Sequence, residues 1–132
     1  MPYFWRNLSF EAPAARDDST ILLVDPADPP AYNLTLRTEP LPGGAKAFAA
    51  YVALQKPAAG VDVDTRSERT VGGKPAVVIE SHLSAGGEVL RQQQAIISGG
   101  DAVVVLTMTA RPSAASSARA AFEKALTTLT WR

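Results

Sequence analysis

The side chains with chemistry to offer are few. His82 is the single histidine, and it stands in Glu80-Ser81-His82-Leu83. In an extended chain, alternation sends Glu80 and His82 to one face and Ser81 to the other. A general base needs an oriented partner within hydrogen-bond reach, and this spacing suits a solvated strand-end pair better than a catalytic dyad. Asp62 and Asp64 also share a face at the start of a strand, but with no third ligand nearby they read as a wet edge. The chain has no cysteine, which removes thiolate chemistry, disulfides and cysteine-based metal centres together. No Gly-x-Ser-x-Gly elbow, P-loop or dinucleotide fingerprint occurs. The expectation is a protein that is not an enzyme, with no metal and no cofactor.

The less ordinary polar residues are neutral. In Leu90-Arg91-Gln92-Gln93-Gln94-Ala95-Ile96 three glutamines follow one another. If this is a strand, Gln92 and Gln94 lie on one face. They form either a plain solvent-facing stripe or a set of amide donors and acceptors for a ligand that is mostly apolar. Gln55 is of the same type.

These groups must be held by elements that local sequence signals delimit. Tyr3, Trp5, Leu8 and Phe10 alternate and suggest a first short strand. Thr20-Ile21-Leu22-Leu23-Val24 reads as a second strand, apolar on both faces, which implies a covering layer or a bound partner. Tyr32 to Thr38 alternates cleanly, with Tyr32, Leu34 and Leu36 on one side. The alanine-rich stretch Ala45 to Lys56 favours helix, with Phe48, Tyr51, Val52 and Gln55 at spacings of three and four; Pro57 ends it.

Val61 to Arg66 alternates again and leads into the stretch that organises the chain, Val71 to Ala110. There, three Gly-Gly pairs punctuate runs rich in valine and isoleucine. Glycine tolerates positive φ, so each pair can close a tight turn, and an antiparallel meander results. Ser113 is placed to cap a final helix over Ala114 to Thr128, with Ala118, Phe122, Ala125, Leu126 and Leu129 on one stripe. Trp131 would close the edge of the core. The sum is α+β: a mostly antiparallel sheet of about six or seven strands, packed with two helices.

At 132 residues, one domain over 1–132 is expected, large enough to bury a core without staples. Formal net charge is zero, and Lys and Arg are spread singly, so the basic footprint of a nucleic-acid binder is missing. No basic stretch followed by an apolar run marks the start for export. The longest aliphatic run, Ala102 to Leu106, is far short of the ~20 residues that a membrane span needs. A cytoplasmic protein that does not insert into membranes is the expectation.

Several stretches together resemble a known family. They are the aromatic N-terminal strand, Asp18-Ser19-Thr20-Ile21-Leu22-Leu23-Val24, and Asn33-Leu34-Thr35-Leu36-Arg37-Thr38-Glu39-Pro40-Leu41-Pro42. The helix with Ala50-Tyr51-Val52 and Gln55, the Val71-Gly72-Gly73-Lys74-Pro75-Ala76 hairpin, and the strand with Gln92, Gln94 and Ala95 complete the pattern. The chain resembles the DcrB-related family, which has a PsbP-like α/β sandwich, and within it looks closest to the Eag chaperones, adaptors of type VI secretion effectors.

That resemblance implies a homodimer that holds the N-terminal transmembrane helices of a cognate effector in an apolar groove before loading on the secretion spike. By position, the groove strands would be Thr20 to Val24 and Tyr32 to Leu36, with Thr20, Leu22, Val24, Leu34 and Leu36 as lining. Gln55, Gln92 and Gln94 would supply the polar contacts. One departure stands out: the family's helix runs on past the Gln55 position, whereas Pro57-Ala58-Ala59-Gly60 cuts it short here. A protein-binding module of the same family with a different partner is the alternative.

Overall fold

The computed structural model describes residues 2–5, 8–11, 15–17, 22–24, 32–54, 60–99 and 102–131, with side chains over 32–44, 46–54, 60–84, 86–99 and 102–129. In chain order the elements are β1 (Pro2–Trp5), β2 (Leu8–Glu11), β3 (Ala15–Asp17), β4 (Leu22–Val24), β5 (Tyr32–Pro40) and α1 (Gly44–Leu54). Then come β6 (Val61–Val71), β7 (Lys74–Ala85), β8 (Glu88–Ser98), β9 (Ala102–Ala110), α2 (Ala115–Thr128) and β10 (Thr130–Trp131).

The meander forms where glycine permits it. Gly72 and Gly73 join β6 to β7 with φ of 57° and 78°, and Gly86 and Gly87 join β7 to β8 with φ of 58° and 80°. Two successive positive φ angles define the hairpin turn whose twist matches that of its strands. A Cβ on Gly73 would meet no atom within 4 Å, so Gly73→Ala isolates the backbone cost. It should destabilise the protein by about 1–2 kcal/mol, read as a lower urea midpoint with an unchanged m-value.

The long strands run in the order β5-β9-β8-β7-β6, antiparallel throughout. Five long strands bear the core, rather than the six or seven expected. The shortfall has a local cause. The N-terminal alternation is not one strand of this sheet but a hairpin, β1 with β2, to which β10 adds as a separate three-stranded sheet. Of the Thr20 to Val24 stretch, the described residues are the three of β4, which with β3 continue the pairing beyond β5.

Each face of the sheet carries one helix, and this explains why β9 is aliphatic on both sides. On one face, Phe122, Ala125, Leu126 and Leu129 pack on Leu34, Leu36, Val78, Ala95, Ile97, Val104, Leu106 and Met108. On the other, Phe48 and Val52 of α1 pack on Val77, Ile96, Val103 and Val105. The stripe on α2 is the one its spacing predicts; its start is not. Pro112 opens a 3₁₀ turn over Pro112–Ala114, so α2 begins after it with Ala114 in the cap position and no side-chain cap. Proline's fixed φ suits the first position of a helical turn, which draws Ser113 into the turn instead of leaving it at the boundary.

Candidate functional site

α1 covers only one end of its face. Beyond it, the register lines up two rows of side chains across the strands. One runs Thr35, Thr107, Gln94, Ile79, with Leu22 as the next position on β4. The other runs Asn33, Thr109, Gln92, Ser81, with Val24 next on β4 and Val63 next on β6.

Within each row the amide is tied to the neighbouring hydroxyl. Gln94 Nε2 donates to Thr107 Oγ1 at 3.3 Å and Gln92 Nε2 to Thr109 Oγ1 at 3.2 Å. Neither row contains a charged side chain between β5 and β7. A third row, Val61, Leu83 and Leu90, is aliphatic and half-buried. The surface thus offers amide oxygens and hydroxyl protons in the middle and aliphatic carbon at its margin. The polar groups are spaced by strand pairing, and each glutamine is held to its neighbouring threonine by one hydrogen bond.

The margin toward α1 is polar and charged. Tyr51 Oη donates to Glu39 Oε2 at 3.3 Å, and Arg37 bonds the other oxygen of Glu39. Burial, then the neighbouring Glu39 carboxylate, raise the Tyr51 phenol above its ordinary value of 10.0. The folded state therefore holds this proton more tightly than the unfolded chain. Its contribution is complete below the unfolded value and is lost as pH rises through the folded one. A spectrophotometric phenol titration of wild type against Tyr51→Phe should show one tyrosine that ionises late.

The residues expected to form a groove divide between the two faces. Gln92 and Gln94 come together as expected, and the register sets Leu22 opposite Thr35 and Val24 opposite Asn33 in the same two rows. Thr20 and Gln55 lie outside the described residues, as do the side chains of Leu22 and Val24. Leu34 and Leu36 need correction. They face the other way, 0% and 1% exposed beneath α2, and have no surface to give a groove. Alternation had put them on one side together with Tyr32; the second helix takes that side. Thr107 and Thr109 were overlooked, although their alternation with Leu106, Met108 and Ala110 could have placed them.

The titratable cluster sits on the α2 face. A register shift in β6 between Val63 and Thr65 makes Asp64 an extra residue, and such a bulge re-aims a side chain. His82 Nδ1 is 2.8 and 2.9 Å from the two oxygens of Asp64, and its Nε2 is 3.6 Å from Asp62. Arg91 reaches Asp64 at 3.5 Å, and Arg119 reaches Glu80 at 3.1 Å. Gln93 and Thr65 also donate to Glu80. Of these groups, Asp64, Glu80, Arg91, Gln93 and Arg119 edge a cleft of about 350 Å³ floored by Met108, Ala110 and Ala118. Ser81 belongs to the opposite face, so Ser81 and His82 form no nucleophile–base pair. The charges are spent on one another, which makes this a surface ion-pair network tying β6, β7, β8 and α2.

Comparison with known proteins agrees with this description of the fold. The family model described as DcrB matches residues 8–128. No curated protein matches the chain. Among solved structures, the chain is similar to PA94 of Pseudomonas aeruginosa, a protein of unknown function, with 27% identity, a TM-score of 0.70, and coverage of 100% of this chain and 96% of that one. It is also similar to LpqN of Mycobacterium tuberculosis, involved in cell envelope biogenesis, with 20% identity, a TM-score of 0.62, and coverage of 93% and 82%. Cyanobacterial PsbP from Synechocystis sp. PCC 6803 matches with 10% identity, a TM-score of 0.67, and coverage of 100% and 92%; at that identity the likeness speaks to fold alone. Among the described residues no helix is long and apolar enough to cross a membrane.

Proposed function

This chain belongs to the DcrB family and has the PsbP-like fold, and from that premise we propose that it is a protein-binding module whose partner lies on the half of the α1 face that, among the described residues, no helix covers. The finer reading is a chaperone or adaptor for a secreted effector, which shields the effector's N-terminal transmembrane helices before export by a type VI secretion spike. One observation carries it: the two uncharged amide–hydroxyl rows, bordered by half-buried Ile79, Leu83 and Leu90.

A membrane helix in water exposes about 20 apolar residues and gains from any aliphatic surface that excludes water. Its occasional hydroxyls and carbonyls still need partners, because a buried polar group left unbonded costs free energy. Glutamine and threonine supply those partners without burying a charge.

The test is co-expression with a soluble carrier that bears an apolar N-terminal segment of about 20 residues containing one serine or asparagine. The reading expects the carrier to move from the pellet to a stoichiometric soluble complex. A carrier that pellets equally with and without this chain argues against a chaperone. Binding that survives charged substitutions on the α1 face, yet fails when the loops are altered, would favour a module with a folded partner.

A further inference from the structure

Between α1 and the β6–β7 hairpin lies a cleft of about 690 Å³, a size ordinary for small-molecule sites. Phe48 and Val52 of α1 wall it, buried Val77 and Ser98 form its base, and exposed Arg66 and Glu68 of β6 stand at its mouth. No glutamine or threonine of the two amide–hydroxyl rows lines it. What it binds is therefore independent of what those rows bind.

Three of its polar side chains are uncommitted. Ser98 is only 9% exposed, and its hydroxyl forms no hydrogen bond among the described residues. A buried hydroxyl in that state is costly, and a ligand that bonds it removes the cost. Arg66 and Glu68 also form no side-chain hydrogen bond or ion pair among the described residues. Arg69 beside them, by contrast, is held by Glu123 at 3.0 and 3.1 Å. Arg66 and Glu68 share one strand face, two residues and about 7 Å apart, so the mouth presents both signs of charge.

These groups narrow the ligand. A simple anion would meet Glu68 and a simple cation would meet Arg66, whereas a zwitterion satisfies both. Its body must be apolar to displace water from Phe48, Val52 and Val77, and an aromatic ring gains a further partner in Phe48. Its far end must carry an uncharged polar atom for Ser98. β6 and β8 are two strand spacings apart, about 10 Å, so the charged and uncharged polar groups belong at opposite ends of that body.

We propose that the cleft binds a zwitterionic α-amino acid whose aromatic side chain ends in a hydroxyl, of which tyrosine is the simplest. The carboxylate pairs with Arg66 and the ammonium with Glu68. The ring lies between α1 and Val77, and the phenol shares a hydrogen bond with Ser98.

Amide NMR spectra of the full chain, titrated with L-tyrosine to about 2 mM, test it. Saturable shifts at Phe48, Val77 and Ser98 are expected, with a Kd of about 1 mM or tighter. Tyramine lacks the carboxylate and 3-(4-hydroxyphenyl)propionate lacks the ammonium; each should bind about fivefold more weakly or worse. Phenylalanine, without the hydroxyl, should lose about three- to tenfold. Ser98→Ala should abolish the preference for tyrosine over phenylalanine with the unfolding midpoint held. Arg66→Ala should make tyrosine and tyramine bind alike, and Glu68→Ala should do the same for tyrosine and the propionate. No saturable shift with tyrosine, single-charge analogues that match it, or a Ser98→Ala protein that keeps the preference would each overturn the proposal.

Discussion

Leu34→Asp is expected to abolish the folded state, and Leu34→Ala to cost about 2–5 kcal/mol. Leu34 is 0% exposed, pairs with Met108 across β5 and β9, and belongs to the cluster closed by Phe122 and Leu126. An aspartate there forfeits the ~1.5–3 kcal/mol of aliphatic burial and must either bury an unpaired carboxylate or hold a proton at neutral pH. Either course costs several kcal/mol more. Against a total stability of about 5–15 kcal/mol, the sum is enough to unfold the domain. Loss of the cooperative unfolding transition, with poor soluble yield, is the readout. A Leu34→Asp protein that unfolds at the wild-type midpoint would mean that β5 does not pack beneath α2. This variant therefore tests the core, and a loss of partner binding in it says nothing about a binding surface.

The second large effect is expected on the opposite face, with the fold intact. Gln94→Lys should weaken capture of an apolar segment by roughly a hundredfold or more, because the ammonium would be enclosed by the segment without a counter-ion. The half-buried Gln94 leaves the lysine stem free to reach water in the unbound protein, so the unfolding midpoint should move little. Gln94→Ala should be milder. It leaves Thr107 and one polar group of the segment unbonded, a loss of about 1–3 kcal/mol. Titration of the carrier-borne segment, monitored by fluorescence anisotropy, separates the two. If Gln94→Lys and Gln92→Lys bind as wild type does, the amide rows are not the contact surface.

The sequence was most legible where structure is local. The Gly72-Gly73 and Gly86-Gly87 turns follow from the steric freedom of glycine at positive φ. The stripe of Ala118, Phe122, Ala125 and Leu126 follows from the helical period. The co-facing of Gln92 with Gln94 follows from the period of a strand. None of these needs knowledge of a distant residue, and the α+β class and the DcrB-related resemblance rest on them. The absence of thiol chemistry was equally fixed by composition.

What local pattern could not supply was the choice between two equivalent faces. Alternation says that Leu34 and Leu36 share a side and that Asn33 and Thr35 share the other; it is silent on which helix lies over which. That depends on contacts between β5 and α2, elements separated by most of the chain, and the outcome moved two expected groove residues into the core. The same holds for Asp64, whose approach to His82 arises from a single extra residue in β6 that only pairing with β7 reveals. It holds too for Ser113, displaced from the cap by the turn that Pro112 starts. The residue types alone decided that this chain makes strands, tight turns and two amphipathic helices. Tertiary packing decided which apolar stripe was buried and which polar one stayed open, because each helix covers one side of a sheet and the area it buries is gained only across long range.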